Sequence, residues 1–179
     1  EQLIDIGESA FLACDFTKIT IPDTNAKQLI IGIGAFEECN NLEEMHIPHK
    51  TVRVGESAFR DCVNMKKLVV DNDCIKIGER AFENCATLEK VKLPDGLTEL
   101  YGGVFNSCKS LKAIDLPLHL TIIGENAFSD CVGLEKVVIP DTVTKIDDLV
   151  FNGCINLSSV ELPEGLRKIG KSAFKNCKA

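Results

Sequence analysis

The stretch "IGENAFSDC", residues 123–131, decides how this chain folds, because it is not unique. It returns as "IGESAFLAC" at 6–14, "IGIGAFEEC" at 31–39, "VGESAFRDC" at 54–62, "IGERAFENC" at 77–85 and "IGKSAFKNC" at 169–177. Looser copies are "LYGGVFNSC" at 100–108 and "IDDLVFNGC" at 146–154. The phenylalanines Phe11, Phe36, Phe59, Phe82, Phe105, Phe128, Phe151 and Phe174 are spaced 25 once and then 23 six times. A fixed period in the twenties predicts a stacked repeat, in which one unit cannot bury its apolar residues alone and its neighbours cover them. Residues 1–179 then form a single solenoid domain of about eight 23-residue units. The chain opens in mid-repeat, so a segment of a longer array is expected.

Between one phenylalanine and the next the pattern continues as L-x-x-V-x-I-P, in Leu134, Val137, Ile139 and Pro140 or Leu88, Val91, Leu93 and Pro94. Alternation with a period of two predicts a strand with one buried face. Proline lacks the backbone donor and ends it. A second apolar pair with threonine between, such as Leu120 and Ile123 around Thr121, predicts a second short strand. Gly124 and its equivalents are expected to bend the chain through positive φ, although Tyr101 and Asp147 occupy that column in two units. The Ala-Phe pair is expected to open a short helical or 3-10 turn. Val91, Ile114, Val137 and Val160 should share one internal column, and Phe59 to Phe151 should stack as a buried spine.

The compound motif L-x-x-V-x-[IL]-P followed by V-T-x-I-G-x-x-A-F-x-x-C resembles the BspA-like, Treponema-type leucine-rich repeat, over almost the whole chain. The first units depart from it: "CDFTKITIP" is one residue short, and "LVVDND" lacks its proline. The resemblance implies a right-handed leucine-rich-repeat solenoid with a parallel sheet on one face. It further implies a non-enzymatic adhesion or recognition module, on the surface of or secreted by host-associated bacteria and some parasitic protozoa. An intracellular or protozoan scaffold on the same solenoid is the alternative.

Eight of the nine cysteines sit three residues after the repeat phenylalanine, and the ninth, Cys74, replaces an apolar residue elsewhere in the unit. Disulfides, a metal site, a nucleophile and a buried thiol ladder are all open to such residues. Stacked neighbours have parallel rather than converging Cβ directions, the number is odd, and C-x2-C zinc spacing is missing. The buried, reduced ladder is therefore the reading carried forward, with the end thiols Cys14 and Cys177 the most reactive and Cys177 the source of any end-to-end disulfide. Terminal units without a polar cap invite end-to-end self-association. An enzyme built on Cys74 is a further alternative, but no nucleophile, base and orienting group can be assembled.

A net charge of -7 lacks the basic footprint of a nucleic-acid binder, and no apolar run approaches the ~18 residues of a membrane-spanning helix. No cofactor motif is present. His46 and His49 flank Pro48 with a spacing that could hold a metal, yet the sequence offers no evident third ligand. Asp71 and Asp73 begin like a calcium loop and lack the rest of it. Asn156-Leu157-Ser158 is a formal glycosylation sequon whose central residue is a core position.

The positions that the period leaves free carry what remains. Two outward rows cross the principal sheet: Thr20, His46, Val69, Lys92, Asp115, Val138 and Glu161, and beside them Lys18, Glu44, Lys67, Lys90, Ala113, Lys136 and Ser159. Most are expected to be an ordinary solvated face. The broad face of a solenoid nevertheless suits extended partners. Lys67, Lys90 and Lys92 make a basic spot on an acidic molecule, and Val69 and Val138 are expected to be exposed there. The candidate partner-binding face is Lys67, Val69, Lys90, Lys92, Asp115, Lys136 and Val138, for a protein ligand such as a host matrix or cell-surface protein.

Overall fold

The computed structural model describes residues 3–22 and 28–178. The chain winds as a solenoid with parallel strands on two faces, and no helix forms among the described residues. The principal ladder holds Glu44–Ile47, Lys67–Val70 and Lys90–Lys92, lapses, and resumes as Lys136–Val138 and Ser159–Glu161. The second ladder holds Asp5–Ile6, Leu29–Ile31, Thr51–Val54 and Lys76–Ile77, then Glu99–Leu100, Ile122–Ile123, Lys145–Ile146 and Lys168–Ile169. All pairings are parallel and follow the repeat, as in Glu44 to Lys67 to Lys90 and His46 to Val69 to Lys92.

The expected helical turns are replaced by something more regular. In every unit the residues two before and two after the phenylalanine have positive φ, as at Ser57 (53°) and Asp61 (61°) or Asn126 (57°) and Asp130 (56°). Alternate backbone N–H groups close local turns, such as Arg60 to Ser57 and Cys62 to Phe59. The N–H groups between them reach the adjacent coil: Ser57 to Glu79, Phe59 to Ala81 and Asp61 to Glu83. A helix would consume every donor internally, whereas this arrangement spends half of them on the neighbour. Three such bonds occur at each of the seven junctions between phenylalanine turns. This turn ladder runs through both places where the sheets lapse. Its left-handed columns are rich in Ser, Asn, Asp and Gly, residues that tolerate that conformation.

Glycines of the Gly124 column do not supply positive φ; that expectation is corrected. They are there for close approach. A Cβ on Gly55 would stand 2.5 Å from the Gly32 backbone, and one on Gly78 would stand 2.5 Å from Glu56 N. Gly55, Gly78 and Gly124 donate to Ile31, Val54 and Leu100 of the coil before. Tyr101 carries a side chain in that column, makes no such bond to Ile77, and marks the lapse of the second ladder.

Phe36, Phe59, Phe82, Phe105, Phe128 and Phe151 are fully buried. Successive rings stack from Phe11 to Phe174 with centroids 5.0–5.7 Å apart and planes within 3–16°. Phe16 lies edge-on against Phe11 and covers part of that first ring. Ile114 and Val137 are buried as the internal column requires, while Val91 and Val160 are half-buried. Val91 flanks the lapse in the principal ladder, so one of its sides lacks a paired strand.

Candidate functional site

The seven face residues named from sequence fall into two neighbouring groups. Lys67 and Lys90 are cross-strand partners, as are Val69 and Lys92, so the basic spot is continuous within one sheet. Among the described residues no carboxylate lies within ion-pair distance of these three lysines. Val69 is half-buried rather than exposed, because His46 and Lys92 flank it on the ladder. Val138 is exposed, as expected. Lys136 is held by Glu161 at 2.7 Å, an exposed pair worth little energy that cancels its charge locally.

Lys92, Asp115, Lys136 and Val138 share one groove of about 740 Å³, which opens where the principal ladder lapses. The lapse has a local cause. The strands on either side read Lys90-Val91-Lys92 and Lys136-Val137-Val138, whereas Ala113-Ile114-Asp115 offers two poor strand formers. Ile114 and Leu116 form an apolar floor beneath the rim. Leu118 rises beside them at 77% exposure, in the column where the nearest units carry Asp95, Asp141 and Glu164 and two earlier ones His49 and Asn72. Sequence reasoning missed Leu118 because it followed the strand rows and not the column after proline. The break in that polar column was the available signal.

The thiol ladder is in register. Cys62 Sγ donates to Phe36 O at 3.2 Å, Cys108 to Phe82 O at 3.3 Å and Cys131 to Phe105 O at 3.1 Å. Each of these carbonyls also accepts the N–H of its own coil's cysteine, as Phe36 O does from Cys39. The S–H groups thus stitch coils and point at carbonyls rather than at one another. Burial pushes the Cys154 thiol up to about 12 and raises Cys62, Cys85, Cys108 and Cys131 as well. Cys74 is fully buried, and burial pushes it up to about 11, the opposite of an activated nucleophile. Cys14 and Cys177 are only partly buried.

Glu37, Glu38 and Asp61 bring carboxylate oxygens within 4.8 Å of one another. Arg60 pairs with Glu37 and, at 3.3 Å, with Asp61, so the group acts as an ion-pair clasp between coils. No helix among the described residues is long and apolar enough to cross a membrane.

The model of the BspA type leucine rich repeat region matches six copies over residues 4–135 and 121–179. The chain belongs to that family. A leucine rich cell surface protein from Faecalibacterium prausnitzii is similar at 29% identity and a TM-score of 0.69, over 88% of this chain and 50% of that one. The T. pallidum leucine rich repeat protein is 29% identical with a TM-score of 0.62, over 75% of each chain. A leucine-rich repeat protein from Bacteroides ovatus, also 29% identical, has a TM-score of 0.61 over 97% of this chain and 56% of that one. The chain therefore spans about half the length of two of these three structures. Comparison with curated proteins returns no match. Repeats of this family are typically non-enzymatic and generally serve in protein interaction.

Proposed function

We propose that the chain is a non-enzymatic adhesion or recognition module of a cell-surface or secreted protein, one solenoid segment of a longer array. It binds a host matrix or cell-surface protein through its principal face. The observation that carries the reading is the groove at the lapse of the principal ladder, where exposed Leu118 and Val138 stand over Ile114 and Leu116. An exposed leucine where the other described units carry a polar side chain departs from the repeat, and exposed apolar residues grouped in a concavity mark interaction sites. The basic spot of Lys67, Lys90 and Lys92 adjoins it, so the complementary partner is an extended segment with an apolar anchor and acidic flanks. The similarity to a protein described as a cell surface protein supports the location.

The test is surface capture with the immobilised chain against a panel of extracellular matrix and cell-surface proteins, repeated with Leu118→Asp and with Lys90→Glu/Lys92→Glu. Both variants should retain the wild-type melting temperature and lose capture. Capture that survives both substitutions would place the partner on another face.

A further inference from the structure

The groove where the principal ladder lapses is lined by four charged residues, Lys92, Asp95, Asp115 and Lys136. Two of them are engaged within the chain. Lys136 pairs with Glu161 at 2.7 Å. Asp95 is held on the rim by Asn72, whose amide donates to its carboxylate at 3.3 Å and whose oxygen accepts the Asp95 N–H. The other two, Lys92 and Asp115, have no ion-pair partner among the described residues.

That is unexpected, because they are opposite charges in one outward row, on adjacent coils. Elsewhere charges one coil apart do meet, as Lys136 meets Glu161 and Lys66 meets Glu43. Partners across a continuous ladder stand about 4.8 Å apart, within reach of a lysine and an aspartate. The lapse removes that register here. Lys92 ends the strand Lys90–Lys92, whereas Asp115 lies outside any strand. The aspartate is part of the cause, since it is a poor strand former with another, Ala113, two residues before it. One residue therefore opens the groove and leaves an unpaired carboxylate in it.

The surroundings strengthen what that carboxylate can do. Ile114 and Leu116, on either side of Asp115 in the chain, are 7% and 8% exposed and form the floor, with exposed Leu118 and Val138 on the rim. A ligand seated there excludes water from both charges, and an ion pair in a lower dielectric is stronger than one on open surface. A like charge brought to Asp115 is penalised for the same reason. Lys67 and Lys90 continue the positive charge of Lys92 away from the groove. The sign therefore changes along the axis, from positive over Lys67–Val70 and Lys90–Lys92 to negative at Asp115.

We propose that Asp115 is the specificity-determining residue of this face, taking a lysine or arginine that stands beside the apolar anchor of the bound protein segment. This assignment rests on the groove being the docking face. It adds a base at the anchor to the acidic flank that Lys67, Lys90 and Lys92 require, and it orients the segment. Reversed docking would set base against lysine and acid against aspartate.

The test selects a displayed library of random peptides on the immobilised chain and keeps the sequences that the Leu118→Asp variant fails to hold. The kept peptides should carry acidic residues on one side of an apolar anchor and a lysine or arginine next to it. A synthetic copy of the most enriched one should bind Asp115→Asn about 5–10-fold more weakly than the parent, above the few-fold effect of an ion pair in open solvent. The same peptide with its base changed to glutamate should bind Asp115→Lys more tightly than it binds the parent. Asp115→Asn should melt with the parent, since the side chain is exposed and unpaired. Leu118-dependent peptides that bind the parent and Asp115→Asn equally, or that carry no base at the anchor, would overturn the role of Asp115 and leave the groove as the docking face. If no peptide depended on Leu118, the docking face itself would fall and the role of Asp115 with it.

Discussion

Replacing Phe105 by alanine tests the spine where the solenoid depends on it most. The ring is fully buried and stacks on Phe82 at 5.5 Å and on Phe128 at 5.7 Å. A buried phenylalanine removes about 150–250 Å² from water, which at roughly 25 cal/mol per Å² gives ~4–6 kcal/mol. The retained Cβ lowers that figure, the two lost stacking contacts of about 0.5–1.5 kcal/mol each raise it, and a net cost of about 5 kcal/mol results. Such a loss is comparable with the whole stability of a small domain. Phe105 also belongs to the unit in which both sheet ladders lapse, so the turn ladder and the ring stack carry the coupling between the two halves. Phe105→Ala should therefore do more than lower the melting temperature: urea unfolding followed by circular dichroism should split into two transitions. Phe59→Ala, set among continuous ladders, should cost a similar amount and keep one transition. The single tyrosine, Tyr101, in a chain without tryptophan, gives a fluorescence signal from the same unit. A Phe105→Ala protein that melts with the wild type would refute the spine, and one that loses stability in a single transition would refute the coupling.

The positive-φ column offers the opposite test, because Leu149 sits at φ 60° in a conformation that costs an ordinary residue about 1–2 kcal/mol; Leu149→Gly should raise the urea midpoint, and a fall would show that its side-chain contacts outweigh the strain. Gly55→Ala should destabilise strongly, since its Cβ would stand 2.5 Å from the backbone of Gly32, and an unchanged melting temperature would refute the close-approach column. Brief alkylation of native protein followed by mass spectrometry should label Cys14 and Cys177 first, and uniform labelling of all nine cysteines would contradict the ladder. The buried thiols have native pKa values raised above the ordinary value of 9.0, so the unfolded chain releases their protons first as pH rises. Their stabilisation is complete below pH 9 and falls by about 1.4 kcal/mol per thiol per pH unit above it, so urea midpoints should hold up to about pH 9, then drop steeply above it, and less steeply in Cys131→Ala.

The period, the strand positions, the aromatic spine and the register of the thiols were all legible in the residues, because each is a column repeated eight times. The turns were harder to read. Ala-Phe beside small polar residues resembles a helix start, and only the pairing of N–H groups across coils shows why a helix does not form. The role of Gly55 and Gly78 was hidden for a related reason: glycine reads alike whether it supplies φ or space. At the candidate face the two outward rows were correct, and Lys92, Asp115, Lys136 and Val138 do meet. Leu118 escaped notice because it lies outside those rows, and Val69 was taken as open because its flanking side chains were not weighed.

The turn ladder also has a mechanical meaning. Its bonds span the gaps between coils and therefore run along the long axis. Tension applied along that axis loads them end-on, one junction after another in series, rather than in shear as when two strands slide past each other. A structure loaded this way yields at its weakest junction and then pays out one coil at a time. That junction lies between the turns of Phe82 and Phe105, where Tyr101 has removed a second-ladder bond and the principal ladder stops. Each released coil of 23 residues lengthens the chain by about 80 Å at full extension, so the molecule would behave under load as a stepwise extensible tether with a built-in first point of release.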